Sequence, residues 1–257
     1  MQLLHSQIFG EGEPLLILHG FLGMSDNWKR LGNQYAEKNH QVHLIDQRNH
    51  GKSFHSKDFN YDFLVEDLKF YMNHYSISSA IILGHSMGGK TVMQFACTYP
   101  EMTKKLIVAD IAPRYYPPHH HLIIDSLNKI DLGSLTKRSE ADEFLANYIT
   151  DFGTRQFLLK NLYWIEKGKL AFRMNLPVLS ERMEEVGENI NPTDNYEGPT
   201  LFLKGDQSEY ITKEDTPEIK RHFPKAEIKT IDNAGHWLHA QNPKQFFDFS
   251  YEFMISS

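Results

Sequence analysis

Gly84-His85-Ser86-Met87-Gly88-Gly89-Lys90-Thr91 is the stretch on which the reading of this chain turns, because the same eight residues fit two unrelated chemistries. Read as G-x-S-x-G, Gly84, Ser86 and Gly88 make a nucleophile elbow, a tight strand-to-helix turn that lifts a serine hydroxyl above the end of a sheet. Read as G-x-x-x-x-G-K-[ST], Gly84, Gly89, Lys90 and Thr91 make a P-loop that wraps phosphates. Both need a strand before and a helix after. The apolar run Ala80 to Leu83 and the helical pattern Thr91 to Tyr99 satisfy both, so distant segments have to decide.

The chain has 257 residues, 40% hydrophobic and 23% charged, which fits one large soluble domain carrying an insertion. No segment approaches the ~20 apolar residues of a membrane helix, so stable membrane insertion is not expected. The start, MQLLHSQIFG, lacks the basic and apolar regions of a signal peptide and reads as a strand. Cys97 is the single cysteine and can form no internal disulfide. It fits a reducing compartment and reads as a small buried residue, and the expected location is cytoplasmic. A net charge of -6 speaks against a nucleic-acid or anionic-membrane surface, which needs a concentrated basic face. A small-molecule substrate is expected.

Short apolar runs alternate with helical stretches, the pattern of a mostly parallel central sheet with helices on both faces. Strands are expected at Leu3 to Phe9, Leu15 to Leu18, Val42 to Asp46, Ala80 to Gly84, Lys105 to Asp110, Thr200 to Lys204 and Glu227 to Ile231. Helices are expected near Trp28 to Lys38, Phe63 to Tyr75, Met87 to Tyr99, Lys213 to Phe223 and Lys244 to Met254, with Asp62 capping the second and Pro100 ending the third. From Pro113 to Glu197 no strand-like run is evident. That stretch is far longer than the ~12 residues a crossover requires. The expected organisation is therefore a core of residues 1–112 and 198–257 with a helical cap inserted at 113–197. The run His119-His120-His121 lies in this cap and reads as solvated surface, since neighbouring side chains diverge too much to share a metal ion.

The P-loop reading is not empty, because Asp110 ends a strand and offers the acid that a magnesium site needs. Three other segments have no role in it. His19-Gly20-Phe21-Leu22-Gly23 follows a strand and is placed to supply one backbone N–H of an oxyanion hole, from Phe21, the other coming from Met87. Asn233-Ala234-Gly235-His236-Trp237 follows the last strand and offers His236 as the base that Ser86 needs. The surroundings of His85, His222 and His239 do not mark them this way. Asp46-Gln47-Arg48-Asn49-His50-Gly51-Lys52-Ser53 reads as a structural polar brace.

Taken in order, HGFLG, DQRNHGKS, GHSMGGK, ADIAP and AGHW resemble the α/β-hydrolase fold family, and within it the YbfF-type bacterial esterases related to the mitochondrial abhydrolase-domain-containing-11 proteins. The motifs span His19 to Trp237. Lys90 and Thr91 then become ordinary residues of the helix after the elbow. Most members of the fold carry the acid three residues beyond the glycine after the strand Thr200 to Lys204, and here that place holds Ser208. A serine cannot stabilise an imidazolium as a carboxylate does. The resemblance implies Asp110 as the acid, at the carboxyl end of a strand, and Asp206 is the alternative.

The expected activity is hydrolysis of carboxylic esters, or thioesters, of short to medium acyl chains by Ser86, His236 and Asp110 through an acyl-enzyme, without metal or cofactor. On the same fold, a C–C bond hydrolase or a menaquinone-pathway-type lyase is an alternative. A non-catalytic ligand-binding protein is the alternative of another class. A dehalogenase is disfavoured, since that chemistry needs Asp at position 86. The cap aromatics Tyr115, Tyr116, Phe144, Tyr148, Phe152, Phe157, Tyr163 and Trp164 are expected to form cap core, with none singled out as a binding residue.

Overall fold

The computed structural model describes residues 2–118 and 120–256. The strands are β1 (Ser6–Phe9), β2 (Glu13–Leu18), β3 (His40–Ile45), β4 (Ala80–His85), β5 (Thr103–Ala109), β6 (Leu162–Glu166), β7 (Lys169–Phe172), β8 (Thr200–Gly205) and β9 (Ala226–Ile231). Seven form one sheet in the order β1-β3-β2-β4-β5-β8-β9. Among the described residues of this sheet, only the β1–β3 pairing is antiparallel.

The central strands are buried on both faces, so they read as continuous apolar runs. Their side chains still alternate between two cores. Leu16, Leu18, Ile82, Leu106, Val108 and Phe202 face one way, and Leu15, Ile17, Ile81, Leu83, Ile107 and Leu201 the other. Helices α1 (Lys29–Ala36), α2 (Tyr61–His74) and α3 (Met87–Thr98) connect the first strands. Helix α2 is capped by Asn60, whose side chain accepts from the Phe63 N–H at 3.0 Å, and not by Asp62. Asp62 instead lies in the first turn, where its charge suits the helix dipole.

Between β5 and β8 lie α4 (His121–Asn128), α5 (Arg138–Ala146), α6 (Phe152–Leu159), the β6–β7 hairpin and α7 (Leu176–Glu181). The hairpin corrects the reading of this stretch as strand-free. Its turn uses Lys167-Gly168, with Gly168 at φ 83°, a weaker sequence signal than Asn-Gly or Asp-Gly. None of this stretch joins the large sheet. Its own apolar cluster, including Ile124, Leu145, Leu158, Leu162 and Leu179, also contains Phe21 and Met87, so it packs directly over the ends of β2 and β4. Helices α8 (Thr216–His222), α9 (Leu238–Gln241) and α10 (Pro243–Ile255) complete the chain.

Candidate active site

Ser86 stands at the turn from β4 into α3 with φ 52° and ψ -117°, a conformation few side-chain-bearing residues adopt. Such backbone costs about 1–3 kcal/mol and persists only where its surroundings enforce it. Here the Ser86 N–H donates to the Ala109 carbonyl at 3.0 Å, and its own carbonyl accepts from the Lys90 N–H at 3.0 Å. The flanking glycines explain why the turn can close. A Cβ on Gly84 would lie 2.2 Å from the Gly88 carbonyl oxygen, and one on Gly88 would lie 2.5 Å from that of Leu18.

The lysine and threonine of the P-loop pattern are committed elsewhere. Lys90 is fully buried. Its ammonium donates to the carbonyls of Pro113, Arg114 and Glu188 at 3.1, 2.5 and 2.7 Å, tying the two ends of the inserted stretch to α3. Burial pushes its pKa down to about 7, with Glu218 and Glu188 opposing and Arg114 reinforcing the shift. Thr91 donates to the Gln47 side chain at 2.9 Å. Lys90 is thus not an ordinary helix residue, and the sequence offered no signal for its tertiary role.

Asp110 directly follows β5, has φ 52° and is wholly inaccessible. Its carboxylate meets three donors: the Gly205 N–H at 3.2 Å, the Ser208 hydroxyl at 2.5 Å and His236 Nδ1 at 2.9 Å. An ionised carboxylate is acceptor-only, so this set of partners matches it. Ser208, on the loop after β8, thus donates to a carboxylate at the end of the neighbouring strand. Asp206 is exposed and accepts from the Ala234 N–H at 2.9 Å. Backbone hydrogen bonds from Ala234 and Asn233 hold its carboxyl below the usual range. It straps the loop that carries His236, and the partner of His236 is Asp110.

The HGFLG loop approaches the elbow closely. A Cβ on Gly20 would lie 2.9 Å from His85 Nδ1 and 3.2 Å from the Ser86 Cβ. His19 holds the loop: its Nε2 accepts from the Gln47 N–H at 3.0 Å, so Nδ1 carries the proton and donates to the Gly20 carbonyl at 2.8 Å. His50 does the same one turn on, accepting from the Leu22 N–H at 3.2 Å and donating to the Arg48 carbonyl at 2.9 Å. Burial lowers these two imidazoles to about 4 and about 3, so both stay neutral. Asp46 and the Arg48–Asp67 pair, with its 2.6 and 2.8 Å contacts, fasten the segment behind them.

Ser86 lines two cavities. The larger, about 190 Å³, is also walled by Phe21, Leu22, His120, Ile123, Phe157, Leu158, Tyr210, His236 and Trp237. The smaller, about 20 Å³, lies against Met87, Ile111, Tyr116, Pro118 and Met183. The expected Ser86, His236 and Phe21 therefore meet in the first, and Met87 faces the second. Of the aromatics in the stretch between β5 and β8, Phe157 and Tyr116 line cavities, while Tyr115, Phe152 and Trp164 are exposed. His119 lies outside the described residues. His120 is not mere surface, since it packs edge-on to Phe21 at 5.2 Å, and His121 begins α4 in solvent.

Three neighbours of His236 carry no mark in the sequence. Tyr210 stacks on its ring at 3.8 Å. His85 donates from Nε2 to the His236 carbonyl at 2.8 Å, and burial keeps it well below the ordinary histidine range. His239 stacks on Trp28 at 4.1 Å and is lowered by burial to about 3. The surroundings that set His85 and His239 apart are assembled only in three dimensions.

A family model described as alpha/beta hydrolase fold matches residues 13–135. The chain is 36% identical over 252 residues to the sn-1-specific diacylglycerol lipase ABHD11 of Danio rerio, covering 95% of this chain and 79% of that one. It is 31% identical over 233 residues to esterase YbfF of Escherichia coli strain K12, covering 90% and 88%. A solved structure of a marine microorganism esterase superposes with a TM-score of 0.96 at 42% identity, covering 98% of this chain and all of that one.

Proposed function

The chain belongs to the α/β-hydrolase fold family and, with its esterase and lipase relatives, is a carboxylic-ester hydrolase; from that premise we propose that it acts through a Ser86–His236–Asp110 triad and an acyl-enzyme. The observation that carries this reading is the 2.9 Å hydrogen bond from His236 Nδ1 to buried Asp110, beside a strained Ser86 in the same cavity. With its Nδ1 proton held there, His236 presents Nε2 as a base. The Ser86 hydroxyl attacks the ester carbonyl as its proton passes to Nε2. The backbone N–H groups of Phe21 and Met87 receive the developing oxyanion, assisted by the positive end of α3. Collapse expels the alkoxide with the proton from His236. Water, deprotonated by the same imidazole, then attacks the acyl-enzyme, and the carboxylate product leaves as Ser86 recovers its proton.

Residues 113–197 act as the cap over this site. A mostly apolar cavity of about 190 Å³ supports esters or thioesters of short to medium acyl chains, and no metal or cofactor enters the scheme. A cytoplasmic setting fits the single, half-buried Cys97. The test is labelling by a fluorophosphonate probe with competition by acyl esters and thioesters. Wild type is expected to label and to turn over p-nitrophenyl esters. Ser86→Ala is expected to lose labelling and nearly all turnover, keeping at most the ~10³–10⁴ over water that an oxyanion hole provides. Labelling of Ser86→Ala equal to wild type refutes the assignment, and turnover of diketones or β-elimination substrates in preference to esters refutes the ester specificity.

A further inference from the structure

Beside the cavity of about 190 Å³ at Ser86 lies another of about 320 Å³ that Ser86 does not line, and these two share Phe157 and Trp237. Their rings touch, with centroids 4.2 Å apart. Phe157 sits on α6, where helical spacing turns Gly153, Gln156, Phe157 and Lys160 towards the second cavity, and Thr154, Phe157 and Leu158 towards the first. Trp237 follows His236 directly, and His239, Ala240 and Gln241 of α9 continue the far wall. The pair is therefore a partition with one leaf on the inserted stretch and one on the histidine loop.

The side of the substrate that meets this partition follows from the proton path. An imidazolium at His236 must reach the leaving oxygen, so the alcohol portion of an ester lies on the His236 side of Ser86. The acyl portion then lies towards Phe21, Leu22, Ile123 and Leu158. Any alcohol with an extended chain runs from His236 along Trp237 onto Phe157. Beyond is a solvent-open chamber walled by Phe157, Trp237 and the neutral His239, whose other face stacks on buried Trp28, and rimmed by Asp151, Gln156, Lys160 and Gln241.

On the ester-hydrolase reading above, we infer that Phe157 and Trp237 form a wall that sets the length of the leaving alcohol, and that the chamber behind it holds the distal segment of a long, amphiphilic alcohol. Such an alcohol has an apolar body to stack on the aromatic walls and an oxygen-bearing end to meet the polar rim. Phe157 is a specificity-determining residue here; it moves no proton and bonds to no reacting atom.

The experiment uses two series of substrates on the full chain. Alkyl butyrates of increasing alcohol length are followed by pH-stat, and p-nitrophenyl esters of increasing acid length by absorbance. Phe157→Ala opens the wall, and kcat/KM for long alkyl butyrates relative to ethyl butyrate is expected to rise by about fourfold per methylene entering the chamber. The acyl series is expected to keep its shape. Adding Ala240→Phe, at an exposed position on the chamber wall, is expected to remove the gain. Phe157→Leu, a milder change, is expected to shift the alcohol profile in the same direction by less. An altered acyl profile with an unchanged alcohol profile overturns the inference. So does an unchanged alcohol profile in variants that still label with fluorophosphonate. A wild type that neither labels nor hydrolyses any ester overturns the parent reading, and the inference with it.

Discussion

Replacing Asp110 by asparagine tests the acid assignment with a change of one atom. Asp110 is inaccessible to solvent and accepts from His236 Nδ1 at 2.9 Å, Ser208 Oγ at 2.5 Å and the Gly205 N–H at 3.2 Å. An asparagine of the same shape turns its oxygen or its NH₂ towards His236. If the NH₂ faces the ring, Nδ1 becomes the acceptor and Nε2 carries the proton, so the imidazole can no longer take one from Ser86. If the oxygen faces it, the tautomer survives but the imidazolium loses its counter-charge. The same exchange in a serine protease triad costs about 10⁴ in kcat, or about 5 kcal/mol. Asp206→Asn takes the charge from an exposed strap on Ala234 while an amide oxygen can still accept, so a loss of at most about tenfold is expected, the value of one ordinary hydrogen bond. Ser208→Ala deletes a donor that stabilises the carboxylate before and during reaction alike, so little of its energy appears in kcat. The assay is steady-state hydrolysis of p-nitrophenyl butyrate by the three variants, with thermal melting to verify folding. An Asp206→Asn loss equal to or larger than that of Asp110→Asn refutes the reasoning.

The buried Lys90 makes stability depend on pH. Its folded pKa of about 7 lies below the ordinary 10.5, so between these values the unfolded chain holds a proton that the folded chain lacks, and stability rises with pH across that window. The difference in unfolding free energy between wild type and Lys90→Met, measured in urea, is expected to grow from pH about 7 towards 10.5. A flat difference rejects a depressed Lys90. Gly88→Ala sets a Cβ 2.5 and 2.6 Å from the backbone carbonyl oxygens of Leu18 and His19, which cannot yield without moving β2 and the HGFLG loop. A loss of about 1–3 kcal/mol in unfolding free energy is expected, together with most of the activity. Unchanged melting and turnover count against a backbone contact this close.

The sheet was legible from local pattern, since doubly buried strands are short apolar runs between helical stretches, and all seven expected strands lie in it. The G-x-S-x-G turn was also readable, because its glycines are fixed by residue identity at fixed spacing: Gly84 leaves room for the Gly88 carbonyl beside a backbone at φ 52°, although what Gly88 makes room for, the Leu18 and His19 carbonyls, is distant in sequence. The β6–β7 hairpin was not readable, because Lys-Gly is a weak turn signal and its strands gain their partners only from each other. The P-loop match was equally local and equally good, and nothing within those eight residues could reject it. What rejects it is the burial of Lys90 against carbonyls 23, 24 and 98 residues away.

By itself, then, the sequence determined the parallel sheet, the elbow and the presence of a serine, a late histidine and two candidate acids, all properties of short windows or of residue identity. Only the tertiary structure decided which acid His236 meets, because Asp110 and Asp206 end adjacent strands and the choice rests on which carboxylate points at Nδ1. It also decided the shape of the site: Tyr210, His85, Phe157 and Trp237 come from four separate elements, and a wall made by rings 80 residues apart leaves no pattern in the order of amino acids.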